Sequence, residues 1–91
     1  MPYYVYIIQS LSTGAYYKGF SEDPNLRLAR HNNGETASTR HLVHWELVYV
    51  EECLSKREAL IREKNLKKAT RERLEALFTH PKNLLKTFKG E

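Results

Sequence analysis

Tyr6, Tyr17, Arg27 and His31 are side chains whose types and spacing suit phosphate chemistry, and Glu63 is a carboxylate that could join them. Cutting a phosphodiester requires a nucleophilic water, a partner for the developing negative charge and help for the leaving oxygen. Arg27 can grip a phosphate with a planar fork of donors. Glu63 is a hard oxygen ligand suited to one Mg²⁺ or Mn²⁺. A symmetric two-metal arrangement needs several converging carboxylates, and the sequence offers one good candidate, so a one-metal site is expected. Tyr6 and Tyr17 are candidates for general base or for positioning the phosphate. A free tyrosine titrates near 10, so it needs neighbouring positive charge, from a metal, Arg27 or Lys18, to act as a base at neutral pH. His31 follows Arg27 at i, i+4, so the two share one helix stripe and His31 can orient water or bond Tyr6 or a phosphate. Each of these residues also has a plain structural role open to it. The tyrosines can be amphipathic core residues, Arg27 a solvated cation, and Glu63 an ion-pair partner of Lys67.

The elements that must hold these groups are legible in the pattern. Residues 3–9 are aromatic and β-branched and read as a strand buried on both faces. A Ser/Thr/Gly turn follows, and residues 15–20 return as the second strand of a hairpin. Asp23 and Pro24 open a helix that runs to about residue 32 and ends at Asn33-Gly34. Residues 34–45 read as a polar irregular loop, and residues 47–50 as a short third strand. Ser55 and Glu58 have capping-box spacing and start a helix to about Lys68. Thr70 caps another helix to about Phe78, which Pro81 terminates. Leu84, Leu85 and Phe88 are placed to pack back on the core. The expected fold is α+β: a small three-stranded antiparallel sheet flanked by helices, in ββαβα order with extra C-terminal helices. One domain over residues 1–80 and a helical extension or tail over 81–91 are expected.

Ninety-one residues suit one modest core. No apolar run approaches membrane-spanning length, and the N-terminus has no secretory pattern. Cys53 is the single cysteine, which excludes an internal disulfide and a cysteine zinc cluster. A cytoplasmic protein without an organic cofactor is expected. The net charge is +4; four Lys/Arg balance four Asp/Glu in residues 1–50, and eleven face seven in residues 51–91. This C-terminal excess permits nucleic-acid binding through phosphates. Lys18, Thr39, Arg40, Lys64, Lys67 and Lys68 are the weaker candidates for such contacts. His41, His44 and His80 lack ligand-like spacing, and Cys53 reads as a small buried residue.

In order and spacing, Tyr4-Val5-Tyr6, the hairpin, Tyr17-Lys18-Gly19, Arg27, His31 and Asn32, and then Glu63 within Arg62-Glu63-Lys64-Asn65-Leu66-Lys67-Lys68, resemble a GIY-YIG nuclease domain. The resemblance is to the small single-domain members, relatives of the endonuclease module found in an excinuclease and in homing endonucleases, and spans about residues 3–68. Tyr4 stands where the first glycine of the pattern belongs, and Lys18 where the second isoleucine does. Many members carry a late asparagine near the site; Asn65 and Asn83 are present, and the sequence matches neither to it. The resemblance implies catalytic roles for Tyr6, Tyr17, Arg27 and His31 and metal binding by Glu63. It further implies a DNA endonuclease of low sequence specificity, using one Mg²⁺ or Mn²⁺, with structure-selective cleavage in repair or recombination as its expected use. The alternative is a weak or inactive module that binds nucleic acid or a protein on the same fold.

Overall fold

The computed structural model describes residues 2–90. A hairpin of β1 (Tyr3–Ser10) and β2 (Tyr16–Ser21) leads into α1 (Pro24–Asn32). A 3₁₀ turn at Arg40–Leu42 precedes β3 (Trp45–Cys53), which is followed by α2 (Lys56–Lys68), α3 (Arg71–Leu77) and α4 (Leu85–Phe88). The sheet is antiparallel with β1 in the middle, in the order β2-β1-β3. The expected α+β layering is therefore observed. No helix among the described residues is long and apolar enough to cross a membrane.

The central position of β1 explains its run of apolar residues. Val5, Tyr6, Ile7 and Ile8 are all fully buried because both faces of this strand are covered. Val5 and Ile7 pack with Tyr49, Ala59, Leu66 and Leu74 beneath α2 and α3. Tyr6 and Ile8 pack with Trp45, Leu47 and Val50 beneath α1 and the C-terminal segment, where Leu84, Leu85 and Phe88 close the layer.

β3 is longer than its apolar stretch foretells. Its nine residues pair with β1 from Tyr3↔Cys53 to Ser10↔Trp45. Charged residues are poor strand formers, yet the ladder holds Glu46, Glu51 and Glu52 in the strand and their side chains find outlets. Glu51 accepts from the Tyr49 hydroxyl at 2.5 Å and from Arg62 at 3.2 Å. Glu46 meets Lys89 at 3.4 Å. A register shift between Ile7 and Ile8 leaves Val48 unpaired. That bulge lets Leu47 and Val50, three apart, face the same core layer.

The helix ends follow local chemistry. Asp23 Oδ1 accepts from the Leu26 amide at 3.1 Å, with Pro24 in the first turn. Gly34, at φ 74°, takes the left-handed conformation past the end of α1. Ser55 Oγ accepts from the Glu58 amide at 3.2 Å, while the Glu58 carboxylate reaches Leu54 N at 3.0 Å. The reciprocal half of the box thus falls one residue early. Thr70 caps α3 as expected, accepting from Arg73 N at 3.2 Å.

Candidate active site

Tyr6 stands opposite Gly19 and Ile8 opposite Tyr17. Paired residues share a face of an antiparallel sheet, so Tyr6 and Tyr17 are diagonal neighbours on the α1 side. Gly19 carries no side chain, and the Tyr6 phenol occupies that space. A Cβ on Gly19 would lie 2.6 Å from the Tyr6 hydroxyl oxygen and 2.7 Å from Cζ. A glycine inside a strand marks such a close approach. This was the sequence signal for the contact, and spacing alone did not reveal what approached.

α1 sets His31 and Arg27 over this face. His31 Nε2 lies 3.0 Å from the Tyr6 hydroxyl, and its Nδ1 lies 2.8 Å from Thr39 Oγ1. The Tyr17 ring meets the His31 ring edge-on at 4.9 Å between centroids, and Trp45 lies 6.4 Å from Tyr17. His31 is fully buried and Thr39 is 1% exposed. Burial and, second, the Arg27 charge pull the His31 pKa down to about 4, so the ring is neutral at pH 7. The Tyr6 pKa is pushed up, chiefly by burial. The charge of the nearby Arg27 guanidinium opposes that rise, while Tyr17 and Glu63 add to it. Both neutral forms are therefore the resting ones. Arg27 Nε is buried and finds no acceptor among the described residues.

Glu63 projects from α2, which packs along β1 and β2. Its side chain is 15% exposed, with Lys67 Nζ at 3.4 Å, and its charge is felt at Tyr6. No group of three or more His, Cys, Asp or Glu side chains is gathered to hold a metal among the described residues. Mg²⁺ keeps several waters and commonly takes only one or two protein carboxylates, so this donor set fits one such ion.

The weaker candidates separate. Thr39, expected at a nucleic-acid backbone, is buried with its hydroxyl on His31. Lys18 stands opposite Ile7, so alternation puts it on the sheet face away from the two tyrosines. Arg40 and Lys64, Lys67 and Lys68 are exposed. The two asparagines left open also part company. The Asn83 amide is spent on backbone: it accepts from Val50 N at 3.1 Å and Leu85 N at 3.0 Å and donates to Val48 O at 3.3 Å and Phe78 O at 3.0 Å. Asn65 is exposed and lines a separate cleft of about 350 Å³ with Glu51, Glu58, Arg62 and Lys82.

Sequence reasoning missed the groups that brace α1 and the loop after it. The Asn32 side chain accepts from Trp45 N at 2.6 Å and donates to Trp45 O at 3.1 Å. The Trp45 indole donates to Thr39 O at 3.1 Å. These contacts close the loop between α1 and β3, joining residues 13 and 6 positions apart, and no periodic pattern announces them.

The chain is also similar to known proteins. The model of the GIY-YIG catalytic domain matches residues 2–76. A UPF0213 protein of Staphylococcus epidermidis is 41% identical over 71 residues, covering 77% of this chain and 85% of the relative. One from Halobacterium salinarum is 40% identical over 77 residues, covering 84% and 99%. The solution NMR structure of a UPF0213 protein from Bacillus halodurans aligns with TM-score 0.56 and 30% identity, over 90% of this chain and 87% of that one. The chain thus belongs to the GIY-YIG nuclease family, among its small UPF0213 members.

Proposed function

We propose that this protein is a divalent-metal-dependent endonuclease of the cytoplasm that cleaves DNA phosphodiester bonds with little sequence specificity. Selection of branched or damaged DNA, as in repair or recombination, fits a chain whose candidate contacts are to backbone phosphates. The observation that carries the reading is the buried, unpartnered Arg27 Nε beside the Tyr6–His31 pair. A buried donor left unmade costs about 1–3 kcal/mol, which a phosphate oxygen would recover.

Each residue has a role that its surroundings support. Arg27 grips a non-bridging phosphate oxygen and meets the charge that grows there. Tyr6 orients the attacking water, and Tyr17 lines the same face against His31. Burial raises the Tyr6 pKa and lowers that of His31 to about 4, so in the free protein the proton stays on Tyr6, which rests as a neutral phenol. Glu63 would hold one Mg²⁺ or Mn²⁺. When bound, that ion supplies positive charge that neutralises the phosphate and favours deprotonated forms of nearby groups. Lys64, Lys67 and Lys68 extend a positive track along α2 beside Glu63.

Purified protein incubated with supercoiled, linear and branched DNA tests the reading. Cleavage is expected with Mg²⁺ or Mn²⁺ and lost on chelation, and Glu63→Gln should lower it about 100-fold or more. Unchanged cleavage by Glu63→Gln, or none by the native chain, refutes it. The exposed lysines of α2 favour a second reading, a nucleic-acid-binding module that does not cut. Salt-dependent DNA binding without cleavage would select that one.

A further inference from the structure

We propose that Thr39 is a positioning residue: its hydroxyl accepts the Nδ1–H of neutral His31, which makes Nε2 the acceptor for Tyr6 and turns the lone pairs of the Tyr6 oxygen toward substrate. The proposal rests on the nuclease reading for its catalytic consequence and on geometry alone for its structural part.

Proton accounting along the buried chain decides the direction. Tyr6, His31 and Thr39 carry one mobile proton each when neutral. In one arrangement Tyr6 donates to Nε2, Nδ1–H donates to Thr39 Oγ1, and the Thr39 hydroxyl donates to Thr36 O at 3.4 Å. Every proton then has an acceptor. In the reverse arrangement Thr39 donates to Nδ1 and Nε2–H donates to Tyr6. The proton of a fully buried Tyr6 then has no acceptor among the described residues. The Arg27 charge, which opposes the rise in the Tyr6 pKa, favours the same direction, because a nearby cation is better met by the phenol's lone pairs than by its proton. Thr39 itself cannot drift, because Trp45 Nε1 holds its carbonyl at 3.1 Å and its amide donates to Thr36 O at 3.1 Å.

The consequence is chemical. With its proton committed to His31, the Tyr6 oxygen, buried in the free protein, would act as an acceptor toward a water admitted when DNA binds. With the ring in the other tautomer, Tyr6 would present a donor to the phosphate. Thr39 thereby favours Tyr6 over Tyr17 as the tyrosine that orients the water.

The ¹⁵N chemical shifts of the His31 ring at neutral pH, in the full chain, test the structural part without reference to activity. The native protein should show a protonated Nδ1 and a bare Nε2. Thr39→Val should shift the ring toward protonated Nε2, and Thr39→Ser should keep the native tautomer. On branched DNA with Mg²⁺, Thr39→Val should lower kcat about tenfold or more with little change in KM, and Thr39→Ser should recover most of it. A native ring protonated at Nε2, or a native tautomer retained in Thr39→Val, overturns the proposal. If the tautomers behave as expected and no variant cuts DNA, the nuclease reading fails and the role in catalysis falls with it.

Discussion

Replacing Gly19 with alanine puts the close packing of Tyr6 to a quantitative test. The added Cβ would sit 2.6 Å from the hydroxyl oxygen, 2.7 Å from Cζ and 3.1 Å from Cε1 of a fully buried ring. Bonded Cβ atoms essentially never approach so closely, so the ring must move. It is confined by Ile8, Trp45, Leu47 and Val50 in the same layer. Overpacking of this kind costs about 1–3 kcal/mol. Displacing the hydroxyl from His31 Nε2 adds about 0.5–1.5 kcal/mol. Restricting the unfolded chain returns about 0.4–1 kcal/mol. The net loss is then about 0.5–4 kcal/mol, which lowers Tm by roughly 2–30 °C for a domain of this size. Calorimetry and urea denaturation measure it. Tyr6→Phe removes the nearest atom, so the double variant should lose less than the sum of the singles, with a coupling of about 0.5 kcal/mol or more. A Gly19→Ala protein within about 0.5 kcal/mol of native, or strictly additive singles, would refute the packing argument.

Three further outcomes follow from the same geometry. His31 titrates near 4 when folded and 6.5 when free, so the unfolded chain takes the proton first. Its contribution is therefore complete above about pH 6.5 and is lost as pH falls toward 4. It is about 3 kcal/mol at most, and urea curves at pH 7 and 4.5 should show a smaller drop for His31→Gln than for native. Arg27→Met should raise the His31 pKa from about 4 only part of the way toward 6.5 in an NMR titration, because burial, the larger cause of its depression, remains when the Arg27 charge is removed. Asn83→Ala should cost about 2–4 kcal/mol in urea denaturation, since it strips partners from Val50 N, Val48 O, Phe78 O and Leu85 N. A near-native midpoint would mean that residues 83–88 add little to the folding unit.

The sequence by itself determined the periodic and local features. β1 announced its burial on two faces through an unbroken run of β-branched and aromatic residues. Asp23-Pro24, Ser55 and Thr70 marked helix starts, because capping involves only neighbours. The i, i+4 spacing of Arg27 and His31 put both on one side of α1. What the tertiary structure decided involves contacts between distant segments. β3 extends through three glutamates because β1 supplies the ladder, which no propensity records. Thr39 was legible only as a polar loop residue; the fold carries it eight positions back to His31, where burial and the Trp45 indole hold it. Glu63 and Tyr6 are linked by no period, only by the family resemblance, which carries no distance between them. They come within electrostatic reach because α2 packs on the sheet beside β2, and Gly19 leaves room for the phenol. Period and capping depend on residues a turn or a strand apart, whereas a site is closed by side chains whose separation only the packed backbone sets.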